Sequence, residues 1–290
     1  MPALPEKHRA LRTVTTINGR RVPKTQARVS VFDNALLYAD GIFETFLAIE
    51  DQVVFLQEHL DRLYKGAEVV KLTLPVASKT LAGWMVKTIK AHPDRIKKLR
   101  LTITSGESAR WVGKPGKPQV ILSASPHEIP VEPFHLLVSD LLVDHRSVFR
   151  SIKTISYGLN AAAFKGARME GYDDALLLNT LGNVAEITSA NIFWVKRGII
   201  YTPSLTSSCL GGVTRQFAIN QARQLGYRLV ETEKKLSTLL SADEIFLSSS
   251  LKLVLPITEI CRAGTSTRFV PGEITLALAE HVRKLVLSGA

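Results

Sequence analysis

The sequence predicts an α+β fold in two domains, on three observations. Apolar residues alternate with period two in some short runs and recur every three or four residues in others, so strands and helices are both expected. In the first half hairpins and helices are mixed. Residues 125–133, SPHEIPVEP, carry three prolines and little apolar periodicity, as a linker does. A chain of 290 residues is long enough for one large core or two smaller ones. The domains are therefore placed at 1–124 and 134–290, with 125–133 between them.

In chain order, Asn18-Gly19 is a strong hairpin turn between two short apolar runs. After Asp40-Gly41, a strand is expected through Ile49, a tight turn at Glu50-Asp51 and a second strand from Gln52 to Leu56. Leu60, Leu63, Ala67 and Val70 then recur at helical spacing, and a second helix is expected from Val76 to Ala91. Residues 99–106 and 118–125 return to strand character. Beyond the linker, FHLLVSDLLV reads as strand and AAAFKGARMEG as a helix closing on Gly171. DALLLNT follows as a strand, and ANIFWVKRGIIYTP as two strands turning at Lys196-Arg197-Gly198. A helix from Val213 to Leu225 ends at Gly226, with Val213, Phe217, Ala218 and Leu225 as its expected buried stripe. EIFLSSS, from Glu244, is another strand, and a last helix covers Glu273 to Val286.

Composition narrows the function classes. Hydrophobic residues make up 46% of the chain, ordinary for a globular protein and against disorder or a fibrous architecture. No apolar run is long enough to span a bilayer, and the polar, basic N-terminus has no secretory core, so cytoplasmic residence without membrane association is the expectation. Cys209 and Cys261, the only cysteines, are expected to be reduced and non-catalytic. The formal charge of +11 raises the question of nucleic acid, because basic residues gather in the first thirty positions and again from Lys90 to Lys117. Neither interleaved aromatics nor a recognition-helix pattern accompanies them, so a basic surface with a site for anionic ligands is expected, and no nucleic-acid role.

Five places carry candidate chemistry, and each has a plain structural reading beside the functional one. LGGVTRQ puts two glycines before a helix and the hydroxyl of Thr214 just inside it: a phosphate cradle, or a glycine turn with a capping threonine. Arg62 lies between Leu60 and Leu63, and reads as a stem covering the core or as a guanidinium turned onto a phosphate. Lys153, flanked by Ile152 and Thr154, reads as an ordinary edge or surface lysine or as one on a partly buried strand end that loses its proton more easily, as Schiff-base chemistry needs, and composition does not separate it from Lys165 or Lys252. Glu186, amid small and apolar residues, reads as a cap for Thr188-Ser189 or as a partner for a cofactor ring nitrogen. Ser248, Ser249 and Ser250 directly follow a strand, as phosphate contacts or as an ordinary turn.

The order of these signals resembles the fold-type IV family of pyridoxal-phosphate enzymes, which includes branched-chain aminotransferases, D-amino acid aminotransferases and aminodeoxychorismate lyases. The resemblance runs through INGRRVPKTQARVSVFDNALLYADGIFETF, HLDRLYKGAEVVKL, KTISYGLNAAAFKGARMEGYDDALLLNTLGNVAEITSANIFWV, GIIYTP, CLGGVTR and ADEIFLSSSLKLVLPI, from about residue 17 to 260. It implies the D-amino acid aminotransferase-like fold, with a small α/β N-terminal domain and a larger pseudo-barrel C-terminal domain that binds pyridoxal 5'-phosphate.

By the same resemblance Lys153 holds the cofactor covalently and Glu186 meets its ring nitrogen. Arg62, Val213, Thr214 and Ser250 hold its phosphate, and Tyr157 lies near its 3'-oxygen. The spacing from Lys153 to Tyr157 is one residue shorter than branched-chain enzymes usually have. Arg110 resembles the arginine of a substrate-carboxylate trap whose histidine is here Val112, and Phe43 resembles an apolar substrate wall, although Glu44-Thr45 departs from the branched-chain pattern. The implied reaction moves an amino group between an amino acid, branched-chain or otherwise apolar and with D-amino acids as a further class, and a 2-keto acid. Lyase chemistry on aminodeoxychorismate is the second reading, and a non-catalytic basic interaction protein the third. A homodimer is the family expectation.

Overall fold

The computed structural model describes residues 13–107 and 116–289. Asn18 and Gly19 take φ of 47° and 78°, so β1 (Val14–Ile17) reverses into β2 (Arg20–Val22) through the two-residue turn that matches strand twist. Glycine is required at 19 for a second reason: a Cβ there would lie 2.4 Å from the Trp84 ring. Asp33 caps the short helix α1 (Asn34–Tyr38), accepting from the Ala35 N–H and the Thr104 hydroxyl at 2.8 Å each.

Next come β3 (Gly41–Ile49) and β4 (Gln52–Val53). The expected second strand to Leu56 is cut short because Phe55 turns at φ 54° and α2 (Leu56–Val69) starts directly after it. Helix α3 (Ser78–Lys90), β5 (Ile96–Thr104) and β6 (Gln119–Pro126) follow. The strands form one antiparallel sheet in the order β2-β1-β6-β5-β3-β4. Leu60, Leu63 and Ala67 of α2 are buried, as their spacing predicts, together with Leu81, Met85 and Ile89 of α3.

The chain divides into two compact units, one ending at Glu128 and the other running from Ile129 to Gly289. The second unit opens with β7 (Phe134–Val138), shorter than the expected run, then a 3-10 turn at Val148–Ser151 and α4 (Gly158–Met169). Strands β8 (Asp174–Leu178), β9 (Val184–Ile187), β10 (Asn191–Lys196) and β11 (Ile199–Pro203) lead to α5 (Val213–Gln224). Then come β12 (Leu229–Thr232), α6 (Leu236–Leu240), β13 (Glu244–Ser249), β14 (Leu253–Arg262), β15 (Thr265–Arg268) and α7 (Glu273–Ser288).

These strands form a mixed sheet in the order β12-β11-β10-β13-β14-β7-β8-β9, with β15 on β14. Leu176, Trp194, Leu247, Leu255 and Ile257 build its larger core. A smaller one, with Ala163 and Ala167 of α4 against Ala175 and Leu177 of β8, uses alanine to bring the helix close to the sheet.

Candidate active site

Lys153 lies in the short connection from the 3-10 turn to α4, half-buried, between the buried side chains of Ile152 and Thr154. Three neighbours fix that connection. The Tyr157 hydroxyl, at the N-cap of α4, donates to the Thr188 carbonyl, and the Asn160 amide donates to the same oxygen at 2.9 Å. Arg150 gives Nε to the Ser208 carbonyl at 3.3 Å, Nη1 to Asn160 Oδ1 at 3.0 Å and Nη2 to Glu186 Oε1. One guanidinium thus ties α4, β9 and the loop before α5 to the stretch that carries Lys153. Burial raises the affinity of the Tyr157 phenol for its proton, and the charge of Glu186 raises it further, so the hydroxyl remains a donor.

Glu186 sits buried in β9, paired with Leu177 across the strand. Its second oxygen accepts the Leu210 N–H at 2.8 Å. The Leu210 carbonyl in turn accepts from the Asn191 amide at 2.8 Å. At Gly212 a Cβ would lie 2.1 Å from Asn191 Oδ1, so only glycine lets the loop pass this close before α5 begins. Gly212 is the N-cap and provides no side-chain cap, which leaves the first N–H groups of α5, Val213 and Thr214 among them, without acceptors inside the helix.

The Thr214 hydroxyl is buried, with Thr214 1% exposed, and has no hydrogen-bond partner. Asn191 pairs in register with Ser248, whose buried hydroxyl also lacks a partner, and Ser250 follows in the turn after β13. Lys252 closes that turn against the one after β9. It donates to Ser189 Oγ at 2.8 Å, and Ser189 donates to Asp174 at 2.6 Å.

These features suit a phosphorylated ring. An open helix N-terminus with buried hydroxyls beside it attracts an anion through aligned N–H groups. A carboxylate held on both oxygens presents a fixed acceptor to a ring N–H. Between Ser208 and Leu210, the Cys209 thiol is held protonated: burial first, and the Glu186 charge after it, push it up to about 12. Cys209 and Cys261 are both free thiols.

Arg62 and Phe43 belong to the first unit. Arg62 donates Nε and Nη2 to the two oxygens of Glu44 at 2.7 and 2.6 Å, and His59 Nδ1 lies 2.8 Å from the same carboxylate. Glu44 and His59 are each 0% exposed. Phe43 is buried, with the Arg100 guanidinium 4.0 Å above its ring centroid. Arg110 and Val112 lie outside the described residues.

Sequence reasoning missed Glu44, Arg150 and Asn160. Glu44 had a signal, a carboxylate on the same strand face as Ile42 and Phe46, with His59 and Arg62 three apart on a helix. Arg150 had none, since its partners lie 10, 36 and 58 residues away.

A family model described as amino-transferase class IV matches residues 41–260. The chain belongs to the class IV amino-transferase family. A putative branched-chain-amino-acid aminotransferase of Methanocaldococcus jannaschii is 33% identical over 93% of this chain and 95% of its own length. The aminodeoxychorismate lyase of Bacillus subtilis is 30% identical over 90% of this chain and 91% of its own. Among solved structures, the branched-chain amino acid aminotransferase of T.th. complexed with N-(5'-phosphopyridoxyl)-L-glutamate superimposes with a TM-score of 0.87 at 26% identity, covering 96% of this chain and 95% of that one. This likeness bears out the expected class IV architecture, a small α+β unit followed by a larger one built on a curled sheet. Among the described residues no group of side chains suits a metal ion, and no helix is long and apolar enough to cross a membrane.

Proposed function

We propose that this enzyme is a pyridoxal-phosphate-dependent aminotransferase that moves the amino group of an amino acid with a branched or otherwise apolar side chain to a 2-keto acid, with D-amino acids as a further substrate class. The observation that carries this reading is the segment 150–160. It holds Lys153 half-buried on a connection anchored to the buried Glu186, and the loop that Glu186 grips opens into an uncapped helix start with an unpartnered hydroxyl.

When bound, the cofactor supplies an aldehyde that condenses with amines and a ring that spreads the charge left when the substrate's Cα proton departs. Lys153 is assigned the covalent anchorage. With the cofactor in place, its Nζ would take the proton from the substrate's Cα and hand it on, which requires direct reach. Glu186 would keep the ring nitrogen protonated, and Tyr157 is assigned to the side of the 3'-oxygen. Arg62, the Val213 N–H and the hydroxyls of Thr214 and Ser250 are assigned to the phosphate. Phe43 is assigned to the apolar side of the substrate and Arg110 to its carboxylate.

The branched-chain name of the M. jannaschii relative supports the apolar substrate. The 30% identity to the B. subtilis lyase supports a second reading, in which the same lysine chemistry expels pyruvate from aminodeoxychorismate. A screen separates them. Purified enzyme with pyridoxal phosphate is given L-leucine, D-alanine or D-glutamate together with a keto acid acceptor, or aminodeoxychorismate alone. Keto acid from leucine is the expected result, and release of pyruvate and 4-aminobenzoate from the last sample establishes the lyase instead. Lys153→Ala should lower multiple-turnover transfer by about a thousandfold or more. Retention of normal turnover in that variant refutes the assignment.

A further inference from the structure

Arg150 spends three separate donors on three separate elements, and one of its acceptors is the carboxylate assigned above to the cofactor ring. Nε reaches the Ser208 carbonyl at 3.3 Å, Nη1 reaches Asn160 Oδ1 at 3.0 Å and Nη2 reaches Glu186 Oε1. The Arg150 side chain is 18% exposed and that of Glu186 9%, so the pair lies mostly out of water, where a charge-assisted bond is strong and directional. The opposite carboxylate oxygen is fixed by the Leu210 N–H at 2.8 Å. Between them the two donors define the carboxylate plane.

A surface arginine placed only to cover the core would not satisfy three acceptors on α4, β9 and the loop before α5. A lysine could not do so either, because its ammonium is a point donor without a planar fork. We infer that Arg150 is a positioning residue for the cofactor ring. It orients Glu186 and shares its negative charge, so that the carboxylate meets the ring N–H in one fixed direction. Asn160 couples this to the lysine segment: it accepts from Arg150 and donates to the Thr188 carbonyl that Tyr157 also holds.

This inference rests on the cofactor reading proposed above, and the test keeps the two apart. Full-length protein is stripped and reloaded with pyridoxal phosphate or with its 1-deaza analogue, whose ring lacks the nitrogen that Glu186 would meet, and Kd is measured for each. Borohydride reduction of wild type with pyridoxal phosphate, followed by peptide mapping, decides the cofactor reading: absence of label at Lys153 sinks that reading, whatever Arg150 does.

Given labelling, Arg150→Met should weaken pyridoxal phosphate about tenfold, as loss of an orienting charged hydrogen bond does, and leave the deaza analogue unchanged. In a Glu186→Gln background the same change should add little, and Arg150→Lys should restore part of the affinity. Equal weakening with both cofactors marks a merely structural arginine and overturns the inference, as does unchanged affinity for both. If Arg150→Met fails to fold, the same comparison is read on Arg150→Lys, where a loss confined to the nitrogen-bearing cofactor supports the role and equal losses overturn it.

Discussion

Glu44 shows how one buried side chain sets the state of others. Burial alone would push its carboxyl up, but the Arg62 charge and the hydrogen bonds from His59 and Arg62 outweigh it and hold the group down at about 2, against an ordinary 4.5. A carboxylate lowered on folding stabilises the native state above the unfolded value, and that contribution is lost as pH falls from about 4.5 towards 2. Glu44→Gln leaves Arg62 and His59 without their anion and should cost about 3 kcal/mol at neutral pH. Thermal unfolding checks this: the gap in Tm between wild type and variant should narrow as pH drops below 4.5. A gap that stays constant to pH 3 refutes the ion-pair account. How much of the site can be read from sequence also depends on range at this scale. Lys153 could not be told from Lys165 or Lys252 by its neighbours, since its setting is made by Arg150, Asn160 and Thr188, and only the order of motifs along the chain selected it. The pairing of Glu44 with Arg62 was readable in principle from strand alternation and helix spacing.

Helix α5 is the element on which a sequence reading and the structure differ most usefully. Its expected stripe of Val213, Phe217, Ala218 and Leu225 holds only at Ala218, while Val213 and Phe217 are half-buried and Leu225 is 40% exposed. The buried face instead carries Thr214, Arg215, Ile219, Gln221 and Ala222. Arg215 and Gln221 escape a hydrophobicity count because polar groups meet part of each: Arg215 Nη2 donates to the Pro203 carbonyl and to Glu231 at 2.8 and 2.7 Å, although its Nε is buried without a partner, and Gln221 Oε1 lies 2.8 Å from His281 Nε2. Thr214 is buried with its hydroxyl unmatched. Thr214→Val keeps the shape and removes a desolvated donor, so the cofactor-free protein should be as stable as wild type or slightly more so. On the proposed assignment of Thr214 to the phosphate, cofactor affinity should fall about tenfold. A variant that loses stability without cofactor and binds cofactor normally would make Thr214 a structural residue. Strand β14 was missed for a related reason. Pro256 argues against a central strand, yet it sits just before the register shift between Ile257 and Glu259, where the ladder to β7 is interrupted.

For the whole molecule, the proline-rich segment at 125–133 is as much as sequence says about where one unit ends and the next begins, because prolines and lost periodicity mark a break without fixing its residue. Surface chemistry carries the remaining prediction. The first unit exposes Val31, Phe32, Leu36, Leu37 and Tyr38 at 51% or more, five large apolar side chains within eight positions around α1. Soluble monomers seldom leave such a stretch in water, so the homodimer expected of the family would cover it. Each copy carries a formal charge of +11, so two copies repel and the attraction must come from apolar burial. Salt then acts in the direction opposite to an interface made of ion pairs. At about 0.1 M the repulsion is screened beyond roughly 10 Å, while apolar burial is unaffected. Sedimentation equilibrium should therefore show a dimer that dissociates less as sodium chloride rises from about 0.02 to about 0.3 M, with Debye lengths shrinking accordingly. The double variant Phe32→Lys, Leu36→Lys should be monomeric across that range, with its circular dichroism intact. A dimer that survives both substitutions is held by another surface, and a dimer that falls apart with added salt is held by charge.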